Sequence, residues 1–190
     1  MELSCAARVA DIGSHKPSVL VLPERTELAE LQRAQELIPE SVVVAASAEG
    51  DLMRGHLQHH GINQVDYLKI LSDGVLRRTR VLPATPVYET PEFAIGMLIC
   101  LDLKNPDLQA EVMKRLRDSR SQLKVLCIPA HMGSGWFPSS RINDFLGVFL
   151  ALSNHPGTPG DARCPSFIAN PDGVRREVQN HHEPIYAYVP

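Results

Sequence analysis

An apolar run that ends in a cysteine decides the fold: Phe93-Ala94-Ile95-Gly96-Met97-Leu98-Ile99-Cys100-Leu101-Asp102. The stretch Phe93–Ile99 has no polar residue on either face, which predicts a strand buried on both sides. Cys100 and Asp102 follow directly, at the end of the predicted strand. A cysteine here is either a small core residue or a nucleophile, and the run alone does not choose between them.

Two further features, both upstream of Cys100, also place charged side chains beside apolar residues. Val19–Leu22 predicts a second buried strand, and Pro23-Glu24 follows it. Ligands in open α/β folds bind at the carboxyl ends of such strands, so Glu24 is a candidate site residue. Arg77, Arg78 and Arg80 form a short basic cluster. A solvated loop glutamate and a solvated arginine face are the plain alternatives.

The rest of the chain predicts strands alternating with helices. Proline and glycine positions mark the boundaries. Two hairpins are predicted around Ser72-Asp73-Gly74 and Asn170-Pro171-Asp172-Gly173. The pattern predicts a mixed α/β fold with one sheet, or two packed sheets, covered by helices. The predicted helices are 4–12, 27–38, 106–119 and the first part of 139–153, the predicted strands include 41–47, 65–71, 75–82 and 124–128, and 50–61 is predicted to be a loop.

Composition excludes several classes of protein. The chain of 190 residues has a formal net charge of -3 and 44% hydrophobic residues, which predicts a single globular domain over 1–190. The apolar runs are too short to span a bilayer, and no secretory signal is visible. The balanced charge offers no basic footprint for nucleic acid. The four cysteines lack C-x-x-C spacing and are interpreted as reduced thiols of a cytoplasmic protein.

Other candidate sites have weaker signals. His56, His59 and His60 lie close together, as do His181 and His182, but the glycines around the first group favour solvated loop histidines. No Gly-rich phosphate loop occurs. We therefore expect no metal and no cofactor.

Taken in order, the motifs resemble the nitrilase superfamily, the carbon–nitrogen hydrolases. Leu22-Pro23-Glu24 is similar to the first catalytic motif of that family, and Gly96–Asp102 is similar to its nucleophile motif. The weaker matches run through most of the chain. They are Ser72–Leu76 with Leu82-Pro83, Pro106-Asp107, Ile128-Pro129-Ala130, Trp136, Arg141, Asn154, Gly157 and Ser166–Gly173.

The resemblance implies an α-β-β-α sandwich that pairs with a second copy as a homodimer. It also implies a Glu–Lys–Cys triad that hydrolyses a small amide or nitrile. Glu24 would be the general base, and Cys100 the nucleophile that forms a thioester. A lysine would stabilise the tetrahedral oxyanion. Asp102 and Trp136 would contact the substrate.

The chain also departs from the family pattern. No lysine lies between Lys69 and Lys104. The expected lysine position falls on Thr79 or Arg78, so Arg78 is the candidate replacement. The fold is expected to be truncated at both ends, without the first strand, and upstream sequence could supply that strand.

Two functions therefore remain open: a cysteine hydrolase, or an impaired relative kept for binding or assembly. A lysine from elsewhere, such as Lys69 or Lys104, reaching Cys100 in space would favour the enzyme.

Overall fold

The computed structural model describes residues 1–50, 52–69, 71–72, 75–76, 86–133, 139–155, 165–177 and 183–188. The strands form two six-stranded sheets and a separate small pair. Among the described residues, no helix is long and apolar enough to cross a membrane.

The first sheet has the order β14-β1-β2-β3-β4-β5. Its central strands β1, β2 and β3 are parallel, and the flanking pairs are antiparallel. The strands are β1 (Glu2–Cys5), β2 (Val19–Glu24), β3 (Val42–Glu49), β4 (Leu52–His59), β5 (Ile62–Leu68) and β14 (Ile185–Tyr188).

The second sheet has the order β13-β12-β11-β10-β9-β8 and the same plan of three parallel central strands. Its strands are β8 (Val87–Glu89), β9 (Phe93–Met97), β10 (Leu123–Ala130), β11 (Phe149–Asn154), β12 (Phe167–Ala169) and β13 (Arg175–Glu177). The small pair is β6 (Leu71–Ser72) and β7 (Val75–Leu76), which are antiparallel.

The two sheets pack face to face, with β2 against β10 and β11. Helix α1 (Leu28–Leu37) covers the outer face of the first sheet, where Leu31 and Ala34 join Leu20 and Leu22. Helix α2 (Pro106–Asp118) covers the outer face of the second sheet, against β9 and β10. The layers are therefore α-β-β-α, which confirms the predicted fold class. Three 3-10 helices, Val9–Ile12, Cys100–Lys104 and Ser139–Phe145, complete the described elements.

Helix α2 begins where the sequence predicts. The Asn105 side chain accepts a hydrogen bond from the Leu108 N–H at 3.1 Å, so it caps the helix. Pro106 occupies the first turn, where its missing N–H has no cost. The buried residues Leu108, Val112 and Leu116 recur with helical spacing and face β9.

Gly96 allows this close approach of helix and strand. A methyl group on Gly96 would lie 2.8 Å from Val112 Cγ1 and 3.0 Å from Leu116 Cδ1. We expect Gly96→Ala to lower the free energy of unfolding by about 1–3 kcal/mol, the usual cost of overpacking a core. Urea denaturation measures this change.

The control for that prediction is the double variant with Val112→Ala. Removing Cγ1 from residue 112 makes room for the new methyl group, so the double variant should be more stable than the sum of the single changes implies. Full additivity would contradict the proposed contact.

Two predicted elements are wrong. Residues 4–12, predicted as a helix, form β1 and a 3-10 helix, because Leu3–Cys5 pairs with both β2 and β14. Residues 50–61, predicted as a loop, contain the whole of β4, because that strand pairs on both sides with β3 and β5. The expected absence of a strand before β2 is also wrong, since β1 lies there.

Candidate active site

Glu24 is the last residue of β2 and is 4% exposed. The pairing of β2 with β3 is irregular between Val21 and Glu24. Thr26 then closes the turn: its N–H donates to the Ala46 carbonyl at 2.9 Å, and its hydroxyl donates to the Pro23 carbonyl at 2.7 Å. The carboxylate is thus held on a fixed backbone rather than on a mobile loop.

Cys100 lies three residues beyond β9, as the first residue of its 3-10 helix, and is 5% exposed. Its φ is +48°, in the left-handed region that residues other than glycine rarely adopt. Such strain persists where the surrounding structure imposes it, and it is concentrated at functional sites. The thiol lies 3.8 Å from the His131 carbonyl oxygen, which can accept its hydrogen bond.

Lys69 follows β5 directly and brings an ammonium group to Glu24. Its Nζ lies 2.6 Å from Glu24 Oε1, and both side chains are buried, with relative exposures of 8% and 5%. A charge-assisted pair this well shielded from water is stronger than a surface pair. The other oxygen, Glu24 Oε2, is buried without a hydrogen-bond partner among the described residues.

The charges of Glu24 and Lys69 change the pKa of the Cys100 thiol in opposite directions. Burial and the negative charge of Glu24 raise the pKa of the Cys100 thiol to about 12, while the Lys69 ammonium opposes that rise. The resting thiol is therefore protonated at neutral pH. A base must remove the proton before the sulfur can attack.

A second contact fixes the turn that carries Cys100. The Tyr67 hydroxyl, on β5 of the first sheet, donates a hydrogen bond to Asp102, and both residues are almost completely buried. Tyr67 lies on β5 and Lys69 directly after it, two residues further along, so we assign both side chains to the same face. This segment therefore orients the Lys69 ammonium and holds the turn that carries Cys100.

Asp102 is 0% exposed and accepts a hydrogen bond from Tyr67, and its predicted contact with the substrate stays a prediction. Arg78, Thr79 and Trp136 lie outside the described residues, and their predicted roles stay predictions. Glu24 and Cys100 follow strands of two different sheets, which pack against each other in the sandwich.

The histidines predicted as solvated loop residues have definite positions in the first sheet. His56 is buried and its Nε2 lies 2.7 Å from Ser47 Oγ. His59 contacts Tyr88 and stacks on His60. The parts of the chain that the structure describes contain no group of three acidic, histidine or cysteine side chains fit to hold a metal ion. His181 and His182 lie outside those parts.

Comparison with solved structures finds proteins of similar fold. The amidase NitN from Nesterenkonia sp. AN1 aligns with a TM-score of 0.69 at 17% identity, over 100% of this chain and 93% of that chain. A branch 10 member of the nitrilase superfamily from Saccharomyces cerevisiae aligns at 0.67 and 14%, over 98% and 89%. A CN-hydrolase superfamily protein from Xanthomonas campestris, with an arsenic adduct in its active site, aligns at 0.65 and 14%, over 98% and 90%.

The chain has the fold of the nitrilase superfamily. No family model matches the sequence, and no curated protein matches it either. At identities of 14–17% the likeness to nitrilase structures concerns the fold, and the chemistry must be argued from the side chains of this chain.

Lys69 is the residue that motif matching in this sequence did not assign. The signal that could have found it is the alternation Val65, Tyr67, Lys69, in which the first two are buried on one face of β5. Continuing that alternation puts Lys69 on the inner face. Matching on Leu82-Pro83 led instead to Thr79 or Arg78.

Proposed function

We propose that this chain is a cysteine-dependent hydrolase of carbon–nitrogen bonds in a small amide or nitrile. The observation that carries the proposal is the buried Lys69–Glu24 pair, whose two charges both act on the Cys100 thiol. A carboxylate, an ammonium and a thiol are the three groups that acyl transfer through sulfur requires.

In the first half of the proposed reaction, Glu24 takes the thiol proton as the sulfur attacks the substrate carbon. Its second oxygen, Oε2, has no described hydrogen-bond partner and is free to accept that proton. For an amide, the new S–C bond forms a tetrahedral oxyanion. The Lys69 ammonium stabilises the negative charge in a site that excludes most water. The C–N bond then breaks, and the proton held by Glu24 passes to the departing nitrogen.

In the second half, a water molecule replaces the leaving group. Glu24 takes a proton from this water, the oxygen attacks the thioester carbon, and the C–S bond breaks. The sulfur regains a proton, and the products are a carboxylic acid and the free thiol. One carboxylate thus serves as base in both halves.

The alternative was an impaired relative kept for binding or assembly. The ground for that alternative was the missing lysine, and Lys69 brings an ammonium to Glu24. The hydrolase is therefore the function that the described site supports best.

The comparisons suggest which substrates to test first. NitN is an amidase, so primary amides come first, with nitriles next. We also propose a homodimer, as the family resemblance implies, and a cytoplasmic location, as the interpretation of the cysteines as reduced thiols implies.

We expect the wild-type protein to release ammonia from at least one small primary amide in a panel that varies chain length and charge. The Cys100→Ala variant should release none above the uncatalysed rate. A folded wild-type protein that is inactive on the whole amide and nitrile panel would contradict the proposal.

A further inference from the structure

The strand ends opposite Glu24 carry two histidines that the triad does not use. His131 follows β10 and His155 follows β11. Their ring centroids are 5.1 Å apart, and both residues are half-buried. The His155 N–H donates to the Ala130 carbonyl at 2.9 Å, which keeps the two strand ends in register.

Strand alternation tells which face the pair occupies. Gly96 lies against helix α2 and pairs with Leu126, whereas Met97 reaches Gly55 of the first sheet and pairs with Cys127. Cys127 therefore faces inward. Continuing this alternation one residue past the end of β10 assigns His131 to the same inward face. His155, one residue past the end of β11, is assigned to that face in the same way, since Ser153, two residues before it, donates its hydroxyl hydrogen bond to the Ala6 carbonyl of the first sheet.

The main chain that carries the pair adjoins the nucleophile. The carbonyl oxygen of His131 lies 3.8 Å from Cys100 Sγ. The completely buried Asn154, which precedes His155, accepts a hydrogen bond from the Met132 N–H at 2.7 Å and donates one to the Met132 carbonyl at 2.9 Å. The backbone beside both imidazoles is thus fixed, and a fixed backbone reduces the entropic cost of binding a ligand.

We propose that His131 and His155 bind an anionic oxygen group, such as a carboxylate, on the substrate of Cys100. Imidazole N–H groups donate hydrogen bonds, and each such bond to a charged acceptor contributes about 1.5–3 kcal/mol. The Lys69–Glu24 pair is neutral as a unit, so among the described residues near Cys100 we assign recognition of a negative group to the imidazoles. The inference rests on the proposed function and names its substrate class: an amide whose other end carries an acid.

Two alkylating agents test this without any knowledge of the substrate. Iodoacetate and iodoacetamide form the same S–C bond with the Cys100 thiolate and release iodide, after the thiol has lost its proton to the solvent. They differ only in that iodoacetate carries a carboxylate. We define the preference of a thiol as its rate with iodoacetate divided by its rate with iodoacetamide. Glutathione at the same pH is the reference thiol.

We expect the preference of Cys100 in the wild-type protein to exceed that of glutathione by about tenfold or more. That factor corresponds to the lower end of the energy range for one hydrogen bond to a charged group. His155→Gln and His131→Asn should each reduce the preference, and circular dichroism checks the fold of both variants. His59→Gln is the matched control. It removes a histidine that contacts Phe93, at the opposite end of β9 from Cys100, and should leave the preference unaltered.

A wild-type preference equal to that of glutathione would overturn the proposal, and so would a high preference that survives both substitutions. These results do not depend on whether the protein hydrolyses amides. A protein inactive on every amide could still prefer iodoacetate, and an active one could fail to prefer it.

Discussion

Glu24→Gln is expected to lower the rate of amide hydrolysis by about 10²–10⁴-fold, the usual effect of removing a general base. The amide of glutamine can still accept a hydrogen bond from the Lys69 ammonium, so the local structure should survive. It cannot take the proton of a thiol whose pKa is about 12. Steady-state kinetics on the best amide of the panel measure the loss, and circular dichroism checks the fold.

The matched control is Glu27→Gln, an exposed glutamate at the start of α1, three residues from Glu24. It should retain the wild-type rate. Activity of Glu24→Gln within a few-fold of wild type would exclude Glu24 as the base.

Substituting Glu24 or Lys69 should also shift the pH at which the alkylation rate of Cys100 rises. The two substitutions should shift it in opposite directions. Glu24 raises the pKa of the thiol and Lys69 lowers it. Glu24→Gln should therefore shift the rise of the iodoacetamide rate to lower pH, and Lys69→Met should shift it to higher pH. Each pKa unit changes the thiolate fraction about tenfold below the midpoint, and lower thiolate nucleophilicity offsets part of this gain.

Peptide mapping after brief labelling between pH 8.5 and 10 resolves Cys100 from the other cysteines. Burial raises the pKa of Cys5 and Cys127, and both are 0% exposed, so they should stay unlabelled in the folded protein. Lys104→Met, which removes an exposed lysine from the Cys100 turn, should leave the profile unchanged. Identical profiles for wild type and Glu24→Gln would contradict the described electrostatics.

Lys69→Met has a second consequence, because it leaves the Glu24 carboxylate buried without its partner. Breaking a buried pair in this way costs about 3–5 kcal/mol of stability. The double variant with Glu24→Gln removes the uncompensated charge. It should be more stable than Lys69→Met alone, which separates a folding defect from an altered thiol.

The central strands could be predicted from the sequence because their evidence is local. Val19–Leu22 and Phe93–Ile99 are continuous apolar runs, and each supplies one of the buried parallel strands of its sheet. Cys100 and Glu24 follow such runs, so their positions at strand ends could be predicted too. Pro106 marked the start of α2 for the same local reason.

The strands that were missed depend on partners far away in the chain. Leu3–Cys5 becomes a strand because β2 and β14 supply hydrogen bonds on both sides. In β4, Gly55 looks like a loop residue. Yet its missing side chain makes room for Met97 of the other sheet, whose Cε would lie 2.5 Å from an added methyl group. No local pattern reports such a contact.

Lys69 illustrates the same limit at the site. Along the chain it is distant from both Glu24 and Cys100, and only the packing of two sheets brings the three together. Spacing could predict the residue types needed but not which cation would meet them. The Tyr67–Asp102 hydrogen bond crosses the same interface, and no sequence signal pairs those two residues.

The most direct test of the account is to look for the thioester itself. Wild-type protein mixed with its best amide, quenched in acid within milliseconds to seconds and digested, should yield the Cys100 peptide heavier by the acyl group. Hydroxylamine should remove that mass, and Cys100→Ala should show none of it. Full hydrolytic activity in Cys100→Ala, with no acyl group found on the wild-type Cys100 peptide, would contradict the account.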